Sequence, residues 1–245
     1  MNQPKIAAAS VNHNTSAYME LMLRSLFARH SDLPGLSVTV YDNQSEDDTS
    51  GMRAFAASRG VPVLPSGYTT QSEYNSHGEI LRRFVLDHPD CTHYLFLDAD
   101  VVFLQDGTLN TLLTELDAHP EAFGIGPRMS GDGISELPIE VLQNPAVYDN
   151  RLHPCCALMP NTPLFRKIAE EIGFSCVKYL WPEREEYLDT MQLFTTVMRT
   201  HGLRHARSER MILHFFCVSY TWDPEWLRDL KVQRRDDLLA ALRQG

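Results

Sequence analysis

No apolar run in this 245-residue sequence reaches the roughly 18–20 residues that a membrane-spanning helix needs. Cysteine is sparse and unpaired in pattern. The five present (Cys91, Cys155, Cys156, Cys176 and Cys217) are odd in number and form no Cys-x-x-Cys pair, which favours neither a disulfide framework nor a thiolate zinc site. Positive charge is also short: 22 Lys and Arg against 32 Asp and Glu give a formal charge of −10. That balance argues against a broad phosphate-tracking surface, so no nucleic-acid partner is expected. It still admits a small anionic ligand, because a metal or a few local cations can reverse the field inside one cleft. Met1 to Ile6 holds one lysine before a strand-like run and lacks the parts of a signal peptide, so a reducing cytoplasm is the expected location.

The first hundred residues alternate between two periodicities. Short apolar runs at Ile6–Val11, Val38–Tyr41, Val61–Leu64 and His93–Leu97 read as strands. Between them, Thr15 or Ser16 can cap a helix carrying Tyr18, Leu21, Met22 and Leu26, and Asp47–Ser58 and Ser76–Asp87 read as two more helices. Strands alternating with helices predict an α/β domain with a mainly parallel, doubly wound sheet. Ligands of such sheets sit beyond the carboxyl ends of the strands, where Asn12, Asp42 and Asp98 fall. Later elements are predicted at Thr108–Ala118 (helix), Phe123–Gly126 (strand), Pro163–Ile172 and Glu185–Thr200 (helices), Met211–Phe216 (strand) and Pro224–Arg243 (helix). Residues 128–150 are rich in Gly, Pro and Asp and read as a loop region beside the site. No repeat, low-complexity tract or linker divides the chain, so one domain is expected.

Two local patterns carry chemistry. His93-Tyr-Leu-Phe-Leu-Asp98-Ala-Asp100 ends a buried strand in two carboxylates, and at a strand-to-turn junction both can reach one hard cation such as magnesium or manganese. The bland alternative is an acidic turn capping a strand. In Val38-Thr-Val-Tyr-Asp42-Asn-Gln-Ser45-Glu-Asp-Asp48-Thr49, Ser45 and Asp48 read as turn-setting acceptors, while Asp42 leaves the strand tip toward the cleft and can accept from a nucleobase N–H.

The ordered set of Asn12-His-Asn-Thr15, Asp42-Asn-Gln-Ser-x-x-Asp-Thr, Asn75-Ser-His77-Gly78 and Asp98-Ala-Asp100, each at a strand end or helix entry, resembles a family 2-type glycosyltransferase with the nucleotide-diphospho-sugar transferase (GT-A) fold. The resemblance is good over about residues 5–105 and weaker over 106–223. It implies a nucleotide-sugar and metal-binding half at 1–105, an acceptor half at 106–223 and a C-terminal helix at 224–245. It also implies transfer of a sugar from a nucleoside-diphosphate donor to an acceptor hydroxyl on a glycan, lipid-linked or small-molecule acceptor, with Mn2+ or Mg2+ as cofactor. Asp42 would contact the donor base and the backbone near Asn12 would help frame it, Asn75 and His77 would line the donor pocket, Asp98 would lie by the ribose or the metal, and Asp100 would bind the metal. The Asn75–Gly78 segment departs from the commonest family form, in which a small residue and an Arg precede the Asn.

Inverting members place an acidic residue at the start of a late helix as general base. Asp189, followed by Thr190, matches best, with Glu185 and Glu186 as rivals; an ordinary acidic first turn is the alternative. His214 stands on an otherwise apolar strand and is either a satisfied core residue or a third metal ligand. His153-Pro-Cys155-Cys156 precedes an apolar stretch and lines an acceptor pocket on this reading, with the cysteines as small packing residues. Trp181 and Trp222 suit either sugar stacking or rim packing, and Ser219 and Tyr220 suit either phosphate contact or solvation. The C-terminal helix mixes Arg228, Lys231, Arg234 and Arg235 with Asp229, Asp236 and Asp237, which favours packing onto the domain over peripheral contact with an anionic membrane. Two other enzyme classes and one binding class compete. A haloacid dehalogenase-like phosphohydrolase would use Asp98 and Asp100, but its motif normally follows the first strand. A nucleotidyltransferase would want a Gly- and Arg-rich loop after that strand. A non-catalytic sugar-nucleotide or glycan-binding module would keep the donor site without a base.

Overall fold

The computed structural model describes residues 3–31, 33, 35–68, 76–130, 149–219 and 223–244. Asn75, Tyr220, Trp222 and most of the 128–150 region lie outside the described residues. The strands are β1 (Ile6–Asn12), β2 (Leu36–Asp42), β3 (Val63–Pro65), β4 (His93–Asp98), β5 (Val101–Phe103), β6 (Ala122–Ser130), β7 (Cys156–Pro160), β8 (Val177–Leu180), β9 (Glu185–Leu188) and β10 (Arg204–His214). The helices are α1 (Ser16–Arg29), α2 (Ser50–Ser58), α3 (Ser76–Asp87), α4 (Thr108–Asp117), α5 (Pro163–Glu171), α6 (Gln192–Thr200) and α7 (Glu225–Gln244).

Eight strands form one mixed sheet in the order β3-β2-β1-β4-β7-β6-β10-β5. β1 runs parallel to both β2 and β4, so the sheet's order reverses at β1 and opens a crevice at its carboxyl edge. Register fixes what meets there: Asn12 lies opposite Asp42, and Val11 opposite Asp98. β7 pairs antiparallel with β4, which sets Cys156 opposite Leu97. β5 pairs antiparallel with β10, which sets Val101 opposite His214. Residues far apart in the chain thus converge on one edge through backbone pairing alone.

The central strands are apolar on both faces because both faces are covered. On β1 and β4, Ile6, Ala8, Leu95 and Leu97 face a core with Met19, Met22 and Leu26 of α1. Ala7, Ala9, Tyr94 and Phe96 face the opposite core with Phe84, Phe165, Phe174 and Phe194. The alanine run of β1 keeps the sheet thin at its centre. Gly78 shows how tightly α3 is seated, since a Cβ there would lie 2.3 Å from Ser175 Cα. That close approach fixes His77, one residue earlier, at the crevice.

Several expected boundaries moved. Glu185–Leu188 is a strand paired with Val177–Leu180, and the helix begins only at Gln192. The acidic run there favours neither period strongly, and Trp181-Pro-Glu-Arg supplies the turn that closes the hairpin, with Trp181 N–H donating to the Arg184 carbonyl at 2.9 Å. The late strand starts earlier than its apolar stretch, because Arg204–Arg207 also pairs along β6 before a register shift that ends at Met211, and it stops at His214 rather than Phe216. The apolar stretch after Cys155 forms β7, an element not assigned from the sequence.

α7 packs on α1 through Leu239, Leu238 and Leu242 against Tyr18 and Leu21. The buried Glu20 carboxylate receives Arg24 and Arg243, both at 2.8 Å, and ties the last turn of α7 to α1. Burial alone would raise the Glu20 pKa; hydrogen bonds from Arg243 and Arg24 overturn this and hold it below the ordinary value. A depressed carboxylate contributes stability that is present above its unfolded pKa and lost as pH falls through the folded one. Thermal stability is therefore expected to fall more steeply in acid for the wild type than for Glu20→Gln, which lacks the titration; identical acid profiles would remove Glu20 from the account.

Candidate active site

At the β1–β4 crevice, short polar residues are held by one another. Asn12 Nδ2 shares its two hydrogens among Ser16 Oγ (2.9 Å), Ser45 Oγ (2.9 Å) and Asp42 Oδ1 (3.2 Å), and its Oδ1 accepts from Thr15 Oγ1 (3.0 Å). Thr15 precedes α1 without capping it. Asp47 caps from across the crevice instead, accepting Ser16 N–H and Ser16 Oγ–H, both at 2.8 Å. Asp42 Oδ2 pairs with Arg53 at 3.0 Å. Ser45 and Asp48 set the turn as expected: Ser45 Oγ accepts from Asn14 N–H at 3.1 Å, and Asp48 Oδ1 accepts from Ser50 N–H at 2.9 Å. The Asn12–Asp42 pair is a rigid shelf with carboxylate lone pairs to spare.

Beside it lies the acidic centre. His214 Nε2 is 3.2 Å from Asp100 Oδ1 and 3.8 Å from Asp98 Oδ2, while His77 Nε2 is 3.7 Å from Asp98 Oδ1. The Phe215 N–H donates to the Asp100 carbonyl at 3.1 Å, extending the β5–β10 pairing that delivers His214. Burial pushes the Asp98 carboxyl up, against the pull of the His77 and His214 imidazoles. Burial works against the His214 imidazolium, but Asp100 and Asp98 more than offset it and raise its pKa. Two desolvated carboxylates side by side call for a cation.

Asp98, Asp100 and His214 each offer a ligand atom, and these atoms lie within 4.8 Å of one another. Two carboxylates and one imidazole suit magnesium or manganese, so the residues fit the expected ion. His214 is buried and is engaged with both aspartates.

Asp189 stands between β9 and α6. Its Oδ2 pairs with Arg151 at 2.6 Å, its Oδ1 accepts Thr190 N–H at 2.7 Å, and Gln192 Oε1 accepts its N–H at 3.0 Å. Glu185 and Glu186 lie on the exposed β8–β9 hairpin, paired with Lys178 (2.9 Å) and Arg184 (3.7 Å). No contact among the described residues brings them to the aspartate centre. The same hairpin exposes Trp181, stacked near Tyr179 with ring centroids 6.2 Å apart.

Arg151 was not singled out from the sequence, and His153 was placed only in an acceptor pocket. Arg151 donates to the Thr190 carbonyl at 2.8 Å as well as pairing with Asp189, and its charge also reaches Asp98. His153 packs edge-on against His214, with ring centroids 5.4 Å apart. Arg151 follows the aperiodic 128–150 stretch and His153 had only a loose pocket assignment, so neither carried a spacing signal.

The overall arrangement matches solved structures across the chain. A mannosyltransferase from Pyrobaculum calidifontis in complex with GDP-Man and Mn2+ superposes with a TM-score of 0.59 at 16% identity, covering 100% of this chain and 66% of that one. The chain has the GT-A fold. S. aureus TarS in complex with UDP-GlcNAc gives 0.59 at 16% identity over 97% of this chain and 71% of that one. Glucosyl-3-phosphoglycerate synthase from Mycobacterium tuberculosis, solved with Mn2+, UDP and glucosyl-3-phosphoglycerate, gives 0.54 at 15% over 98% and 80%. No protein-family profile and no curated protein sequence matches the chain. Among the described residues, no helix is long and apolar enough to cross a membrane.

Proposed function

We propose that the chain transfers a glycosyl group from a nucleoside-diphosphate sugar to an acceptor hydroxyl, with inversion and with a divalent ion held by Asp98, Asp100 and His214. The observation that carries this reading is the cluster of half-buried Asp98 with buried Asp100 and His214 at the carboxyl edge of a GT-A sheet. Mn2+ or Mg2+ bound there would stabilise the charge that develops on the departing diphosphate, a contribution of several kcal/mol. The chain's own residues do the rest. Asp42 presents a fixed acceptor for an N–H group of a base, its carboxylate held in place by Asn12 Nδ2 and Arg53. His77 backs Asp98 from the α3 side.

Asp189 is the proposed general base. Arg151 and the Thr190 N–H fix its carboxylate, yet each oxygen keeps a lone pair that can take a proton from an acceptor hydroxyl. Arg151 also couples this carboxylate to the donor side, because its guanidinium acts on Asp98. The cytoplasmic assignment and the glycan, lipid-linked or small-molecule nature of the acceptor belong to the same proposal.

The test is incubation with a panel of sugar nucleotides, Mn2+ and candidate acceptors, reading nucleoside diphosphate. Acceptor-stimulated release supports transfer. Inorganic phosphate from simple monoesters would indicate a phosphohydrolase, and thermal stabilisation by donor plus metal without turnover would indicate a binding module. Asp189→Asn is expected to keep stabilisation by donor and metal while transfer falls about 100-fold or more, the usual span for loss of a positioned base. Transfer at the wild-type rate would place the base elsewhere.

A further inference from the structure

The side of the aspartate centre that faces β7 is built from different donors. His153, Cys155 and His214 each offer one ligand atom, and these three atoms also lie within 4.8 Å of one another. Backbone pairing fixes Cys155, whose carbonyl accepts Asp98 N–H at 3.0 Å; its N–H donates to His153 Nδ1 at 3.2 Å, a bond that coordination through that nitrogen would replace. The His153 and His214 rings meet at 73°. His214 directs Nε2 at the carboxylates, whereas its buried Nδ1 has no hydrogen-bond partner among the described residues. Leaving such a nitrogen unsatisfied costs about 1–3 kcal/mol, which a ligand would relieve.

We propose that His153, Cys155 and His214 form a second metal site, selective for a thiophilic divalent ion of the zinc class. Sulfur and imidazole donors prefer zinc over magnesium or manganese, and three protein ligands with an open fourth position make a complete tetrahedral set. Bonds of about 2.0–2.3 Å hold such ligands roughly 3.5 Å apart, so side-chain rotations of about 1 Å close the observed cluster. Binding forms a metal–sulfur bond and releases the Cys155 thiol proton to solvent, with no change of oxidation state. A pocket lined by Met129, Arg151, His153, Cys155 and His205 gives the ion its approach. Arg151 stands nearby, but its charge is already matched by Asp189.

Sharing His214 makes the two sites antagonistic. A neutral imidazole has one lone pair for coordination, the other nitrogen carrying the proton, so His214 serves one ion at a time. Zinc at the sulfur site therefore withdraws a ligand from the ion at Asp98 and Asp100. This antagonism rests on the proposed donor-metal site; the sulfur site itself does not.

Cobalt(II) titration of the metal-free protein tests the site without reference to activity. One equivalent is expected to produce thiolate-to-cobalt charge-transfer absorption in the wild type and in Asp100→Asn, and none in Cys155→Ala. His153→Gln keeps the thiol and is expected to weaken binding about tenfold or more, which holds the test open if Cys155→Ala misfolds. Absence of the band in the wild type, or its persistence in Cys155→Ala through Cys156, overturns the site. For the antagonism, the Zn2+ needed to release bound Mn2+, read by electron paramagnetic resonance, should rise about tenfold in Cys155→Ala. Unchanged release would leave the sulfur site standing and remove the shared ligand.

Discussion

Replacing Asp100 with alanine is expected to lower donor-dependent turnover by about 1,000-fold or more, equivalent to about 4 kcal/mol of transition-state stabilisation. Asp100 Oδ1 is the atom nearest His214 Nε2, at 3.2 Å, so its loss removes one arm of the ligand set and the anchor of another. The fold should survive. Two carboxylates crowd this buried centre, and Asp100 itself helps push the Asp98 carboxyl up, so removing one relieves like-charge repulsion in the metal-free protein. An unchanged or slightly raised melting temperature with lost turnover is the expected pair of readings. Near-normal turnover would detach Asp100 from the chemistry.

The second large effect lies away from the metal ligands. Lys231 on α7 is 1% exposed, and its Nζ donates to Asp223 Oδ2 at 2.7 Å and to the Phe216 carbonyl at 2.8 Å. Phe216 and its neighbour Cys217 both hold left-handed backbone, with φ of 52° and 51°. Two successive non-glycine residues there cost about 1–2 kcal/mol each, a cost that surrounding structure must offset. This strained turn directly follows His214 and Phe215, so α7 is keyed into the turn that ends the His214 strand. Lys231→Met removes the buried ammonium from Asp223 and from the Phe216 carbonyl and is expected to destabilise the protein by about 3–5 kcal/mol in urea unfolding. Lys231→Met with Asp223→Leu should recover much of that loss, because removing both charges removes the desolvation penalty. Equal stability of the single and double variants would contradict the buried pair.

Much of the N-terminal half was legible because local pattern and global topology agree there. Apart from Ser10 and His93, Ile6–Val11 and His93–Leu97 are apolar or aromatic, as strands covered on both faces tend to be, and their tips carry the polar residues of the crevice. The His214 neighbourhood was only half legible. Its apolar strand was evident, but contact with Asp98 and Asp100 depends on the antiparallel β5–β10 pairing, which no local periodicity encodes. Glu185 and Glu186 mislead for a related reason: acids before Gln192 mimic a helical first turn, while hairpin pairing with Val177–Leu180 decides the outcome. Arg151 and His153 have meaning only through their partners Asp189 and His214.

The central claim is that Asp98, Asp100 and His214 hold a divalent ion against a nucleoside diphosphate. Calorimetric titration of GDP and of UDP into the protein, with Mn2+ and then with excess chelator, tests it most directly. Saturable binding of at least one nucleotide that requires Mn2+ and disappears in Asp98→Asn and Asp100→Asn is the predicted result. Nucleotide binding of equal strength with chelator present, or in both variants, would contradict it.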